Sequence, residues 1–69
     1  MIDEGIIRVR YTNLYKFPII DGNVVACLVR GTEVQILDVE AGFYKIKYGA
    51  QVAYAPKNSI KLEGEEYIP

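Results

Sequence analysis

Apolar and polar residues alternate with period two along much of this chain, most regularly from Gly42 to Pro56. Tyr44, Ile46 and Tyr48 share one parity, and Phe43, Lys45 and Lys47 share the other. Past Gly49 and Ala50, Val52 and Tyr54 alternate with Gln51, Ala53 and Ala55. Successive side chains of a strand point to opposite faces, so alternation on both sides of a glycine turn predicts a β-hairpin. The parities assign Tyr44, Ile46 and Tyr48 to a core and turn Phe43 outward beside the two lysines. Parity sets Tyr54 with Val52.

The rest of the chain also reads as short strands. Ile6 to Tyr11 is β-branched and aromatic and suits a first strand, with Ile7, Val9 and Tyr11 facing one way and Ile6, Arg8 and Arg10 the other. Thr12 to Asn23 contains Pro18, which cannot donate to a ladder, and the turn-forming Asp21-Gly22-Asn23, so it predicts a long irregular loop. Its apolar residues Leu14, Tyr15, Phe17, Ile19 and Ile20 must pack down or form a surface, with Phe17 leaning to the core. Val24 to Leu28 predicts a second strand and Arg30-Gly31-Thr32 a tight turn. Glu33 to Val39 predicts a longer strand that shifts its facing near Leu37. Pro56 to Ser59 reads as one helical or 3₁₀ turn, Ile60 to Leu62 as a last strand, and 63–69 as a frayed acidic tail. No segment carries a helical period. Turn signals every eight to twelve residues predict an all-β, antiparallel small barrel of five to six strands with one 3₁₀ turn, a single domain over 1–69 with its barrel over about 5–62.

Composition narrows the chemistry. A 69-residue chain with 51% hydrophobic and 25% charged residues is an ordinary small globular domain with little room for a deep polar pocket. One Cys and no His supply neither a disulfide nor a zinc site, so no metal and no cofactor are expected. Cys27, within Val24-Val25-Ala26-Cys27-Leu28, reads as a small buried hydrophobe. A net charge of −1 and a pI of about 5.3 disfavour nucleic acid, which needs clustered Lys and Arg. The Lys45 and Lys47 face reads as a solvated strand face. No apolar run reaches the length of a membrane span, and Met-Ile-Asp-Glu-Gly lacks the layout of a secretion signal. Catalysis is not expected: without His a nucleophile lacks its usual base, and the carboxylates fall in turns and termini. Ser59 and Thr32 stand in turn contexts, where hydroxyls serve backbone groups.

Several spaced motifs resemble one family. Asn13, Leu14 and Pro18 are followed by Leu28 and Gly31, then by Phe43-Tyr44-Lys45-Ile46 and Ala53-Tyr54-Ala55. This order resembles the bacterial Src-homology-3-like (SH3b) domains, with an Asn-Val-Arg-x-x-Pro loop, a Trp-Tyr-Lys-Val strand and a Gly-Trp-Val or Gly-Tyr-Val strand. Pro56-Lys57-Asn58-Ser59-Ile60 resembles the Pro-Ser-Asn-Tyr-Val signature of eukaryotic Src-homology-3 domains. The resemblance spans Gly5 to Leu62. It implies an SH3-like barrel and a groove near Tyr15, Phe43, Tyr54 and Pro56, with Asn58 in the adjoining turn. Tyr15 stands at the family's loop Arg, Phe43 at its groove Trp, Ala53 at its Gly and Ser59 at the eukaryotic Tyr. With no Trp in the chain, these residues argue against ordinary Pro-x-x-Pro recognition.

The expected function is a non-enzymatic binding module that takes a peptide or a bacterial cell-wall stem peptide through Tyr15, Phe43, Tyr54, Pro56 and Asn58. The bland alternative is that Tyr15 and Phe43 cap one end of a small core. A second functional reading is a stand-alone intracellular interaction or regulatory protein, phage- or mobile-element-encoded, that docks on a host protein or on itself. Single-stranded nucleic-acid binding is a minority reading. A complete chain of this kind is expected in the cytoplasm; a domain cut from a secreted hydrolase is expected outside the cell or at the wall.

Overall fold

The computed structural model of the protein describes residues 3–19 and 23–62. Seven strands fill most of this span: β1 (Asp3–Ile7), β2 (Tyr11–Tyr15), β3 (Val24–Val29), β4 (Glu33–Glu40), β5 (Phe43–Tyr48), β6 (Gln51–Pro56) and β7 (Ile60–Leu62). A single 3₁₀ turn, Lys57–Ser59, joins β6 to β7. All ladders are antiparallel, in one sheet of order β3-β2-β6-β5-β4-β1-β7. The all-β antiparallel class and the lone 3₁₀ turn agree with the sequence reading.

There are seven strands rather than five or six. The expected first strand divides: β1 stops at Ile7, the chain bends at Val9 and Arg10, and Thr12 to Tyr15, expected in the long loop, form β2 with Tyr11. The bend resets the facing, so Tyr11 is exposed while Ile7 is buried. The 3₁₀ turn holds this corner. Ser59 O accepts from the Arg8 N–H at 3.0 Å, and Thr12 Oγ1 donates to Ser59 Oγ at 3.0 Å, both hydroxyls being buried. The Ser59 hydroxyl therefore serves a side chain, whereas Thr32 Oγ1 bonds the Val29 carbonyl, as a turn hydroxyl should.

The β5–β6 hairpin forms where the alternation places it, with Ile46 opposite Ala53 and Tyr48 opposite Gln51. In β4 the register shifts between Ile36 and Asp38, next to Leu37, where the change of facing was expected. A two-residue turn joins β4 to β5, with positive φ at Ala41 (52°) and Gly42 (82°), the geometry that matches the right-handed twist of paired strands.

Ile7, Leu14 and Ile46 are the largest fully buried side chains, joined by Leu28, Val34, Ile36, Ala53, Ala55 and Ile60. Tyr44 and Tyr48 pack against this core, as their parity predicts. Burying each of the large aliphatic groups contributes about 1.5–3 kcal/mol. Gly5 is buried where β1 runs between β4 and β7, and a Cβ there would stand 2.8 Å from Ile60 Cγ2. Backbone bonds of Ile7 with Thr32 and Gly31 bring the turn after β3 against the end of β1, so the sheet bends strongly on itself.

Two expectations about burial fail. Cys27 is exposed rather than buried, because β3 lies at the end of the strand order and Cys27 faces away from Leu28 and the core. Phe17 is 48% exposed rather than in the core: it lies two residues past the end of β2, and the Lys16 ammonium sits 5.6 Å from its ring centroid. Ile20, Asp21, Gly22 and the tail 63–69 lie outside the described residues.

Candidate functional site

Strand pairing sets two rows of side chains on the sheet face opposite Ile46. One row runs Asp38, Lys45, Tyr54 and Tyr15 across β4, β5, β6 and β2. The other runs Glu40, Phe43 and Pro56. Residues two apart on a strand share a face, so the rows form one surface. Four of the five residues expected at a site therefore lie together: Tyr15, Phe43, Tyr54 and Pro56. Asn58 is exposed in the middle of the adjoining 3₁₀ turn.

Phe43 does face away from the core, but it is not an exposed anchor. Tyr15 and Phe43 are each 8% exposed. Their rings meet edge-to-face, with centroids 6.0 Å apart at 86°, over the intervening strand β6. This is the arrangement in which the positive edge of one ring meets the negative face of the other, worth about 0.5–1.5 kcal/mol beyond the area buried. Neither ring belongs to the aliphatic core cluster. The pair is a second, smaller packed unit on the outer side of the sheet. Half-buried Tyr54 and Pro56, the ladder partners of Tyr15 and Phe43 on β6, are the more accessible part of this surface.

Charge borders this face on the β4 side. The Tyr54 hydroxyl donates to Glu40 Oε2 at 3.2 Å. Desolvation, then the hydrogen bond and negative charge of Glu40, then the charge of Asp38, raise the Tyr54 phenol above its usual tyrosine value. Asp38 and Glu40 thus lie within a strand, not in the turns and termini expected for the carboxylates. Lys45 is half-buried in the first row, while Lys47 is exposed, so the expected wholly solvated lysine face holds for Lys47 only. The 3₁₀ turn is fixed against the β4–β5 turn by a bond from the Lys57 N–H to the Gly42 carbonyl at 3.1 Å, and Lys57 Nζ lies 5.7 Å from the Tyr44 ring centroid.

The sequence did not single out Glu40 and Asp38 as neighbours of the aromatic residues. Their spacing in the strand before Phe43 was the available signal, but the register shift near Leu37 had to be resolved before their facing followed. A separate open cleft of about 400 Å³ is lined by Glu4, Glu33, Val34, Gln35, Lys47 and Gly49. Among the described residues no three His, Cys, Asp or Glu side chains gather in a metal-binding set. No helix among them is long and apolar enough to cross a membrane.

These features define a small all-β domain whose outer sheet face carries a buried aromatic pair. No family model, no curated protein and no solved structure matches the chain.

Proposed function

We propose that the protein is a non-enzymatic binding module of the SH3-like kind that holds an extended peptide across Tyr54, Pro56 and Asn58. The observation that carries this reading is the ring pair Tyr15–Phe43, buried on the outer side of the sheet and apart from the core. Packed there, it flanks Tyr54 and Pro56 with fixed side chains, and a pre-ordered surface binds with little loss of side-chain freedom. A tyrosine with its hydroxyl tied to Glu40 offers an apolar ring flank and a fixed polar end, the combination favoured at contact surfaces. Bacterial cell-wall stem peptides and protein segments share one chemistry, a peptide backbone whose side chains include small apolar groups.

The test has two arms: co-sedimentation with purified peptidoglycan, and selection from a displayed library of random peptides. Each uses the wild-type chain, Tyr54→Ala and Asn58→Ala, with folding checked by circular dichroism. Retention in one arm that falls about tenfold or more in the variants supports the reading and names the source. No retention in either arm, or retention equal in all three proteins, overturns it.

A further inference from the structure

A different surface, the edge of the sheet at β3, carries its own inference. Among the described residues β2 is the only ladder partner of β3. The Arg30 N–H donates to the Arg10 carbonyl at 3.1 Å, which makes Arg10 and Arg30 a hydrogen-bonded pair. Antiparallel pairs alternate, so Thr12/Leu28 and Leu14/Ala26 are bonded pairs too, in the observed register. The intervening groups, the Val25 carbonyl, the Cys27 N–H and carbonyl and the Val29 N–H, consequently point to the open edge. Edges of this kind are normally blunted by Lys, Pro, an inward charge or a β-bulge. Val24–Val29 has no Lys, Pro or charge, and Val25, Cys27 and Val29 are all exposed. Its one irregularity is a register shift between the pairs Leu14/Ala26 and Tyr15/Val24, which leaves Val25 without a partner on β2 and the ladder regular from Ala26 to Val29.

We propose that the β3 edge pairs antiparallel with the β3 edge of a second copy of this chain, about a two-fold axis at Cys27. The argument for a second copy, rather than a foreign strand, is the symmetry of the stripe. An axis at Cys27 sets Val25 opposite the other copy's Val29 and Ala26 opposite its Leu28, so apolar meets apolar throughout and no charge within the strand is covered. Two-fold interfaces require a patch complementary to itself, and this one is. The polar groups match as well. The two Cys27 residues bond each other reciprocally, and each Val29 N–H reaches the other copy's Val25 carbonyl. Among the groups whose direction the regular ladder fixes, the one left over is the Val29 carbonyl, which Thr32 already occupies through N–H and Oγ1 at 3.2 and 2.8 Å.

Sedimentation equilibrium of the full chain across a concentration series tests this, alongside Val25→Lys and Val29→Lys. Both positions face solvent in the single chain, so their circular dichroism should match the wild type. The expected result is a wild-type dimer whose dissociation constant rises about tenfold or more in each lysine variant. A short bismaleimide should link the two Cys27 thiols in the wild type and lose yield in the variants; Cys27 is the only cysteine, so any link reports this position. A wild type that stays monomeric at its highest soluble concentration, a dimer indifferent to both lysines, or a dimer that resists the Cys27 link overturns the proposal.

Discussion

The Tyr15 and Phe43 rings meet edge-to-face at 6.0 Å although their strands, β2 and β5, are separated by β6. The contact lies on the side of the sheet away from Ile46 and Leu14, so the domain has an aliphatic core on one face and an aromatic lock on the other. Phe43→Ala should lower unfolding stability by about 3–5 kcal/mol, the usual cost of removing a buried Phe. Exposed Phe17→Ala should stay within about 0.5 kcal/mol of the wild type. Urea denaturation of the two variants checks both values.

The buried Thr12–Ser59 hydroxyl pair joins residues 47 apart and holds the corner between β1 and β2. Ser59→Ala leaves the Thr12 hydroxyl without this acceptor and should cost about 1–3 kcal/mol. Thr12→Val combined with Ser59→Ala removes both partners and should cost less than the two single changes added. A double-mutant cycle by chemical denaturation reads the coupling directly.

Backbone space and backbone conformation give opposite predictions at Gly5 within β1 and at Ala41 in the β4–β5 turn. Gly5→Ala drives a methyl to 2.8 Å from Ile60 Cγ2 and 3.2 Å from the Lys61 carbonyl, and should destabilise by about 1–3 kcal/mol. Ala41 holds a left-handed φ of 52°, where Asn is tolerated far better than Ala. Ala41→Asn should therefore stabilise by about 1 kcal/mol. Thermal midpoints moving in opposite directions would confirm the pair; a fall for Ala41→Asn would refute the turn geometry.

Desolvation and the Glu40 contact favour the neutral Tyr54 phenol in the folded state. A raised folded pKa contributes stability that is complete below the unfolded tyrosine pKa and is lost as pH climbs through the raised value. Glu40→Gln should shift the Tyr54 titration back to lower pH and narrow that window. Ring-labelled NMR titration separates Tyr54 from the five other tyrosines among the six of the chain. A Tyr54 curve unchanged by Glu40→Gln would contradict the contact.

Local pattern carried the hairpin, the 3₁₀ turn and the shift at Leu37, because period two and turn chemistry are properties of neighbours in sequence. Tyr11 to Tyr15 was harder to place: Pro18 and Asp21-Gly22 follow closely, and the strand is stabilised by pairing with β3 and β6 rather than by its own alternation. The burial of Phe43 depends on Tyr15 meeting it across a strand, a relation parity along β5 cannot express. Parity gave its side of the sheet and missed the ring that covers it. Cys27 shows the same limit in reverse. Its apolar neighbours suggested a core, while its place on an edge strand leaves it in solvent. The acidic border of Asp38 and Glu40 likewise became visible only with the β4–β5 register.

Amide chemical-shift mapping of the labelled protein, titrated with the peptide or muropeptide retained in the binding assays, tests the proposed face most directly. The predicted result is a set of shifts confined to Lys45, Tyr54, Asn58 and their ladder neighbours, with Val25 to Val29 unmoved. Shifts centred instead on the Glu4–Glu33 cleft or on β3, with Tyr54 and Asn58 silent, would contradict it.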